Sequence, residues 1–226
     1  MTGDRSESTR RRELEELLAR IERDFAETAA RTGVRRLAAD VRAALLRVPR
    51  HAFVDDATTE EAYRDAPLPI GHGQTISQPF IVALMTQLAE VGPGSRVLEV
   101  GTGSGYQAAV LSALGADVRS IERIPELSSC AAAALARTGH DDVRLAVGDG
   151  AVGWPAEAPY DAILVTAAAL ETPPALIDQL APGGRLLIPI GPPGTTQQLV
   201  RIRKDAAGAI DSREELEVAF VPLVRD

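Results

Sequence analysis

The sequence predicts an α/β fold, a doubly wound and mostly parallel seven-stranded sheet with an N-terminal helical extension. Three observations carry that expectation. From Ser95 onward, short apolar runs alternate with helical patterns, the arrangement that gives parallel strands joined by right-handed crossovers. The first of those strands ends in a glycine-rich turn, Gly101-Thr-Gly103-Ser-Gly105, that opens a helix. Two amphipathic segments precede the alternation, with apolar residues at helical spacing. At 226 residues, 45% hydrophobic and 25% charged, the chain has enough apolar material for one sizeable core and too little length for two.

In chain order, residues 1–12 read as a disordered, solvated tail carrying Arg10, Arg11 and Arg12. Leu14, Leu17, Leu18, Ile21 and Phe25 mark a first helix; Leu37, Val41, Leu45 and Val48 mark a second, stopped before Pro49. Residues 49–79, rich in proline and glycine, read as an extended connection leading to a helix over 80–88. Strands are expected at 96–100, 117–121, 143–147, 161–166 and 185–190, the last introduced by a Gly183-Gly184 turn. Between them lie a helix over 106–114, closed by Gly115, and an alanine-rich helix with Pro125 in its first turn and Gly139 past its end. Stretches 197–203 and 215–222, with no helical pattern between them, predict a closing antiparallel hairpin.

Charge and composition exclude several function classes. Acidic residues outnumber basic ones, 32 against 24, for a net charge of -8, which argues against nucleic acid as a partner. The single cysteine, Cys130, forbids a disulfide within the chain and points to a reducing, cytoplasmic setting. No apolar run follows the N-terminal arginines, so no signal peptide is read. Residues 66–89 lack any Asp, Glu, Lys or Arg, yet Pro67, Pro69, Pro79, Gly71 and Gly73 rule out a membrane helix there. His51, His72 and His140 are too scattered for a metal-ligand set, so no metal is expected.

The charge-free stretch and the glycine turn carry the chemistry. Glu99-Val-Gly101-Thr-Gly103-Ser-Gly105 sits where doubly wound sheets bind nucleotides, and Tyr106 takes the position at which a dinucleotide fingerprint has its last glycine. Glu122 ends the second strand, where a carboxylate accepts both ribose hydroxyls; Gly148-Asp149-Gly150 follows the third, placed to bond an adenine amino group. The E-x-G-x-G-x-G form resembles the S-adenosylmethionine loop of class I methyltransferases, whose fold is Rossmann-like.

More specific motifs precede and follow it. Arg50-His51-Ala-Phe53-Val54 and the run from Ala62-Tyr63 through Gln74-Thr75-Ile76-Ser77-Gln78-Pro79 closely resemble the protein-L-isoaspartate O-methyltransferase family. So do 97–108, 121–127, 160–169 and 180–191, and the likeness spans roughly 48–224. The resemblance implies methyl transfer from S-adenosylmethionine to the α-carboxylate of an isoaspartyl residue in damaged proteins or peptides, followed by collapse of the ester to a succinimide. Residues 13–79 are read as the N-terminal helices and active-site segment and 80–226 as the S-adenosylmethionine-binding catalytic domain, one compact unit with the segment before it and expected to be a monomer. Ser77 is then the active-site serine, with Thr75 beside it as a second catalytic hydroxyl. Thr75, Ile76, Ser77, Glu99, Gly101, Thr102, Gly103, Gly105, Glu122, Arg123, Asp149 and Gly150 would contact the cofactor.

Elementary chemistry agrees with this. A carboxylate is already ionised at neutral pH, so the acceptor needs orientation more than a base. Uncharged donors such as Gln74, Thr75 and Ser77 can orient it without a quenching salt bridge. Two further readings stay open: a relative that methylates an ordinary aspartate in a biosynthetic peptide, and a nicotinamide-dependent oxidoreductase. Leu170, where the family usually has proline, and Thr172 depart from the family pattern near the substrate loop.

Overall fold

The computed structural model describes residues 7–55 and 59–224. Helix α1 (Glu7–Thr32) begins inside the stretch expected as a tail: residues 7–12 are helical, while 1–6 lie outside the described residues. The correction has a local cause. Glutamate and arginine are strong helix formers, Glu7 sits at the positive end of the helix dipole, and Arg12 reaches Glu16 one turn on at 3.7 Å. The apolar stripe of Leu17, Leu18, Ile21 and Phe25 is buried, and Gly33, at φ +72°, ends the helix with its amide donating to the Ala29 carbonyl. Helix α2 (Ala39–Arg47) stops two residues before Pro49, as its sequence requires.

The proline- and glycine-rich connection is more structured than an extended strap. Short 3₁₀ turns occupy Arg50–Phe53 and Thr59–Glu61, and strands β1 (Leu68–Pro69) and β2 (Thr75–Ile76) pair antiparallel. Three successive left-handed residues, Gly71, His72 and Gly73, close that small hairpin. It delivers the chain to α3 (Pro79–Ala89), whose Phe80 meets Phe25 edge-on with ring centroids 5.6 Å apart.

The main sheet follows as β3 (Arg96–Val100), α4 (Tyr106–Ala113), β4 (Asp117–Glu122), α5 (Pro125–Arg137), β5 (Arg144–Val147), β6 (Tyr160–Val165), α6 (Pro174–Asp178), β7 (Leu180–Ile190), β8 (Gln197–Lys204) and β9 (Ile210–Val218). The spatial order is β5-β4-β3-β6-β7-β8-β9, parallel from β5 through β7 and antiparallel from β7 to β9. Strand order reverses between β3 and β6, so the crevice outside their carboxyl ends is the place for a ligand. Val97, Val118, Leu164, Leu187 and Leu199 face the helical layer of α1 to α5, while Leu98, Val100, Ile163, Leu186 and Ile188 face a second cluster with Leu176 and Leu180. The first cluster takes residues from Leu17 to Val218, so one core joins the N-terminal helices to the sheet.

Two strands differ from expectation by more than one residue. β7 starts at Leu180, and the two glycines form an irregularity within it rather than a turn before it; a side chain on Gly184 would approach the Tyr160 carbonyl at 3.0 Å. β9 runs over 210–218 instead of 215–222 because the hairpin turns earlier, at Asp205, whose carboxylate accepts from the amides of Ala207 and Ala209, both at 2.8 Å. Pro222 instead bridges Ala168.

Candidate active site

The glycine loop is shaped by close approach. Gly101, Gly103 and Gly105 all lie at positive φ, and the Gly101 amide donates to the Ile121 carbonyl at 2.8 Å. At the end of β6, Thr166 donates its hydroxyl to the carbonyl of Gly101 at 2.6 Å, and a Cβ on Gly101 would meet that hydroxyl at the same distance. The turn is thus locked to the neighbouring strand across the switch point. Gly105 does different work. It lines no cavity of the site, and its missing Cβ leaves room for Ala131 and Leu135 of α5, each 3.3 Å from where it would stand. What the structure shows at Gly105 is this close packing of α5 against the loop.

Two buried acids flank the loop. Glu99, on β3, is fully buried; Ser120 hydrogen-bonds one oxygen, and Oε1 has no partner among the described residues. Burial pushes its pKa up to about 8, only partly offset by the Ser120 hydroxyl. Glu122 accepts from the Gly103 amide at 2.8 Å and the Ile124 amide at 2.9 Å, fixing the carboxylate at the crevice with acceptor capacity to spare. Asp149 turns one oxygen to the Ala151 amide at 2.8 Å as the cap of a short 3₁₀ turn; Gly150, not Asp149, lines the crevice.

The charge-free segment lies opposite. Arg50, 1% exposed, donates to the carbonyls of Ala62 at 2.5 Å, Ala66 at 3.0 Å and Ser77 at 3.0 Å. Asp65 accepts from the Gln78 side chain at 2.8 Å and from the Phe80 amide at 2.9 Å, capping α3 from a distance. The backbone of residues 77–80 is therefore clamped from both sides, while no described residue hydrogen-bonds the hydroxyls of Thr75 and Ser77. Ile70, from the small hairpin, lies 3.3 Å from the position a Cβ on Gly103 would take, joining this segment to the glycine loop.

Three adjoining cavities share residues of this site. The first, at the crevice, is lined by Gly101, Gly103, Glu122, Arg123 and Gly150 and covered by 221–224. The second, towards Glu99, is lined by Thr75, Ile76, Ser77, Thr102 and Gln107. The third and largest of them, the outer cavity of about 340 Å³, lies between Pro67, Ser77, Gln78, Ile81 and Phe220. Thr75 and Thr166 line all three, and Ser77 lines the second and third. The orphaned Glu99 oxygen and the turn that admits no Cβ at Gly101 fit a ligand with a cationic end and a nucleoside body. Arg50, Asp65 and Thr166 were not among the residues singled out for the site. Arg50 lies in a quoted motif, and only the fold reveals that it grips Ser77.

Comparison with known proteins places this geometry. The model of the protein-L-isoaspartate(D-aspartate) O-methyltransferase family matches residues 23–226. A protein-L-isoaspartate O-methyltransferase of Syntrophobacter fumaroxidans is 53% identical over 92% of this chain and 84% of its own, and one of a Polaromonas species is 54% identical over 87% and 93%. A solved protein-L-isoaspartate O-methyltransferase superposes with TM-score 0.80 at 29% identity, covering 92% of this chain, which spans 65% of that structure's length. A Plasmodium falciparum structure, described as the same kind of enzyme in complex with S-adenosyl-L-homocysteine, superposes with TM-score 0.73 at 28% identity over 91% of this chain and 99% of its own. The chain belongs to the protein-L-isoaspartate(D-aspartate) O-methyltransferase family.

Proposed function

We propose that the chain transfers a methyl group from S-adenosylmethionine to the α-carboxylate of L-isoaspartyl residues in proteins and peptides, the first step of their repair through a succinimide. One observation carries the reading: an uncharged hydroxyl pair, Thr75 and Ser77, lines both the cavity that reaches the buried acid Glu99 and the outer cavity of about 340 Å³.

When bound, the cofactor supplies an electrophilic methyl on a sulfonium. Glu99 would hold its ammonium through the unpaired Oε1, Glu122 its ribose hydroxyls, and the backbone around Gly150 its adenine end. The acceptor enters the outer cavity as an anion and needs no base, so Ser77 and Thr75 donate hydrogen bonds that orient it. Because Arg50 and Asp65 fix the backbone beneath those hydroxyls, the orientation is set before substrate arrives.

The reading extends to a cytoplasmic monomer without a nucleic-acid partner. It is supported by the net charge of -8, by the charged outer strand bearing Asp211, Arg213 and Glu214, and by the lack, among the described residues, of a helix long and apolar enough to cross a membrane. Labelled methyl transfer to a short isoaspartyl peptide and to its aspartyl twin tests the function. Label is expected in the isoaspartyl peptide; preference for the twin would overturn the repair assignment.

A further inference from the structure

Among the residues that line the outer cavity, Glu217 of β9 is the ionisable one, and the others, such as Ile81, Phe220, Gln78 and Thr196, are apolar or neutral. An exposed acid beside this cavity is unexpected near an anionic acceptor, because two carboxylates repel. The arginines of its own hairpin do not pair with it. Glu215, two residues back, takes Arg201 at 2.7 Å and Arg213 at 3.8 Å, and Gln198 stands opposite Glu217 in the β8 register. Among the described residues its ion-pair partner is Arg31, in the last turn of α1, at 3.7 Å with side chains 59% and 53% exposed. A pair so long and so wet is weak and exchangeable. Arg31 is kept near by its backbone carbonyl, which Arg213 hydrogen-bonds.

We propose that Glu217 determines the charge preference of the acceptor site, favouring isoaspartates flanked by lysine or arginine over those flanked by acids, and that Arg31 occupies the place of the substrate's cation until it arrives. This rests on the methyltransferase reading above and deepens it: the acceptor class becomes isoaspartyl segments of basic sequence. A flanking cation offsets the repulsion between Glu217 and the acceptor carboxylate, whereas a flanking acid adds to it. The two residues must then act with opposite signs. Removing Glu217 abolishes the preference; removing Arg31 bares the acid and sharpens it.

The test uses the full chain and three isoaspartyl peptides, identical except for lysine, alanine or glutamate on both sides of the isoaspartate. The ratio of kcat/KM for the lysine peptide to that for the glutamate peptide is expected above one, falling about twofold to fivefold in Glu217→Gln and rising about twofold in Arg31→Gln. The differences should reside in KM and shrink in 0.5 M salt. Binding of S-adenosylhomocysteine, read by calorimetry, should stay unchanged in both variants, which shows them folded. An unchanged ratio in Glu217→Gln, with ready transfer to all three peptides, overturns this inference and leaves the function standing. Failure to methylate any of the three by the parent chain overturns both.

Discussion

The guanidinium of Arg50 donates to the backbone carbonyl of Ser77 at 3.0 Å, from a side chain only 1% exposed. Burial lowers the Arg50 pKa from its usual value, and the charge is balanced by three carbonyls and the Tyr106 ring 5.9 Å away rather than by a paired carboxylate. An arginine suits this task because its planar fork reaches several acceptors at once.

Replacing Arg50 by methionine keeps the bulk and strips the donors, leaving the carbonyls of Ala62, Ala66 and Ser77 without their bonds. Urea unfolding should show a loss of about 3 kcal/mol, from about 1 kcal/mol for each unsatisfied buried acceptor. Arg50→Lys should recover part of the stability but not the full turnover, because one ammonium cannot repeat the fork. Stability equal to the parent in Arg50→Met would show that the clamp is idle.

The two ends of the glycine loop should fail differently. Gly101→Ala drives a methyl into the Thr166 hydroxyl at a φ of +95° and should abolish binding of S-adenosylhomocysteine in a calorimetric titration. Gly105→Ala, at φ +88° against Ala131 and Leu135, should lower the thermal midpoint by several degrees while the remaining folded protein still binds. Equal losses of binding in both would place Gly105 at the ligand after all.

Glu99 makes stability depend on pH with an unusual sign. Its carboxyl keeps its proton to about pH 8 when folded, against an ordinary value of 4.5 when unfolded. Across that window the folded chain binds more protons, so stability falls as pH rises, by at most about 1.4 kcal/mol per unit, and levels off outside it. Glu99→Gln should flatten the profile measured by urea unfolding at pH 6 and 8. Parallel profiles for parent and variant would contradict the assignment.

Much of this site was legible in the chain because glycine, proline and uncharged polar runs have few physical uses. The glycine turn after the first strand located the crevice, and Glu122 fell where its strand ends. What stayed hidden depends on contacts between distant segments. Thr166 reads as an ordinary strand end until β6 is laid beside β3, and Asp65 as a turn acid until it caps α3. The start of α1 was missed because residues 7–12 lack the apolar stripe, and helix propensity alone carries them. The early turn at Asp205 was written in its spacing to Gly208, a local signal outweighed by the apolar run at 218–223.

The claim beneath all of this is that an uncharged hydroxyl, held by the Arg50 clamp, orients the acceptor carboxylate. Ser77→Ala tests it most directly, by turnover on an isoaspartyl peptide alongside calorimetric binding of S-adenosylhomocysteine. Turnover should fall about tenfold to a hundredfold with affinity for the demethylated cofactor within about twofold of the parent. Full turnover in Ser77→Ala would contradict the account.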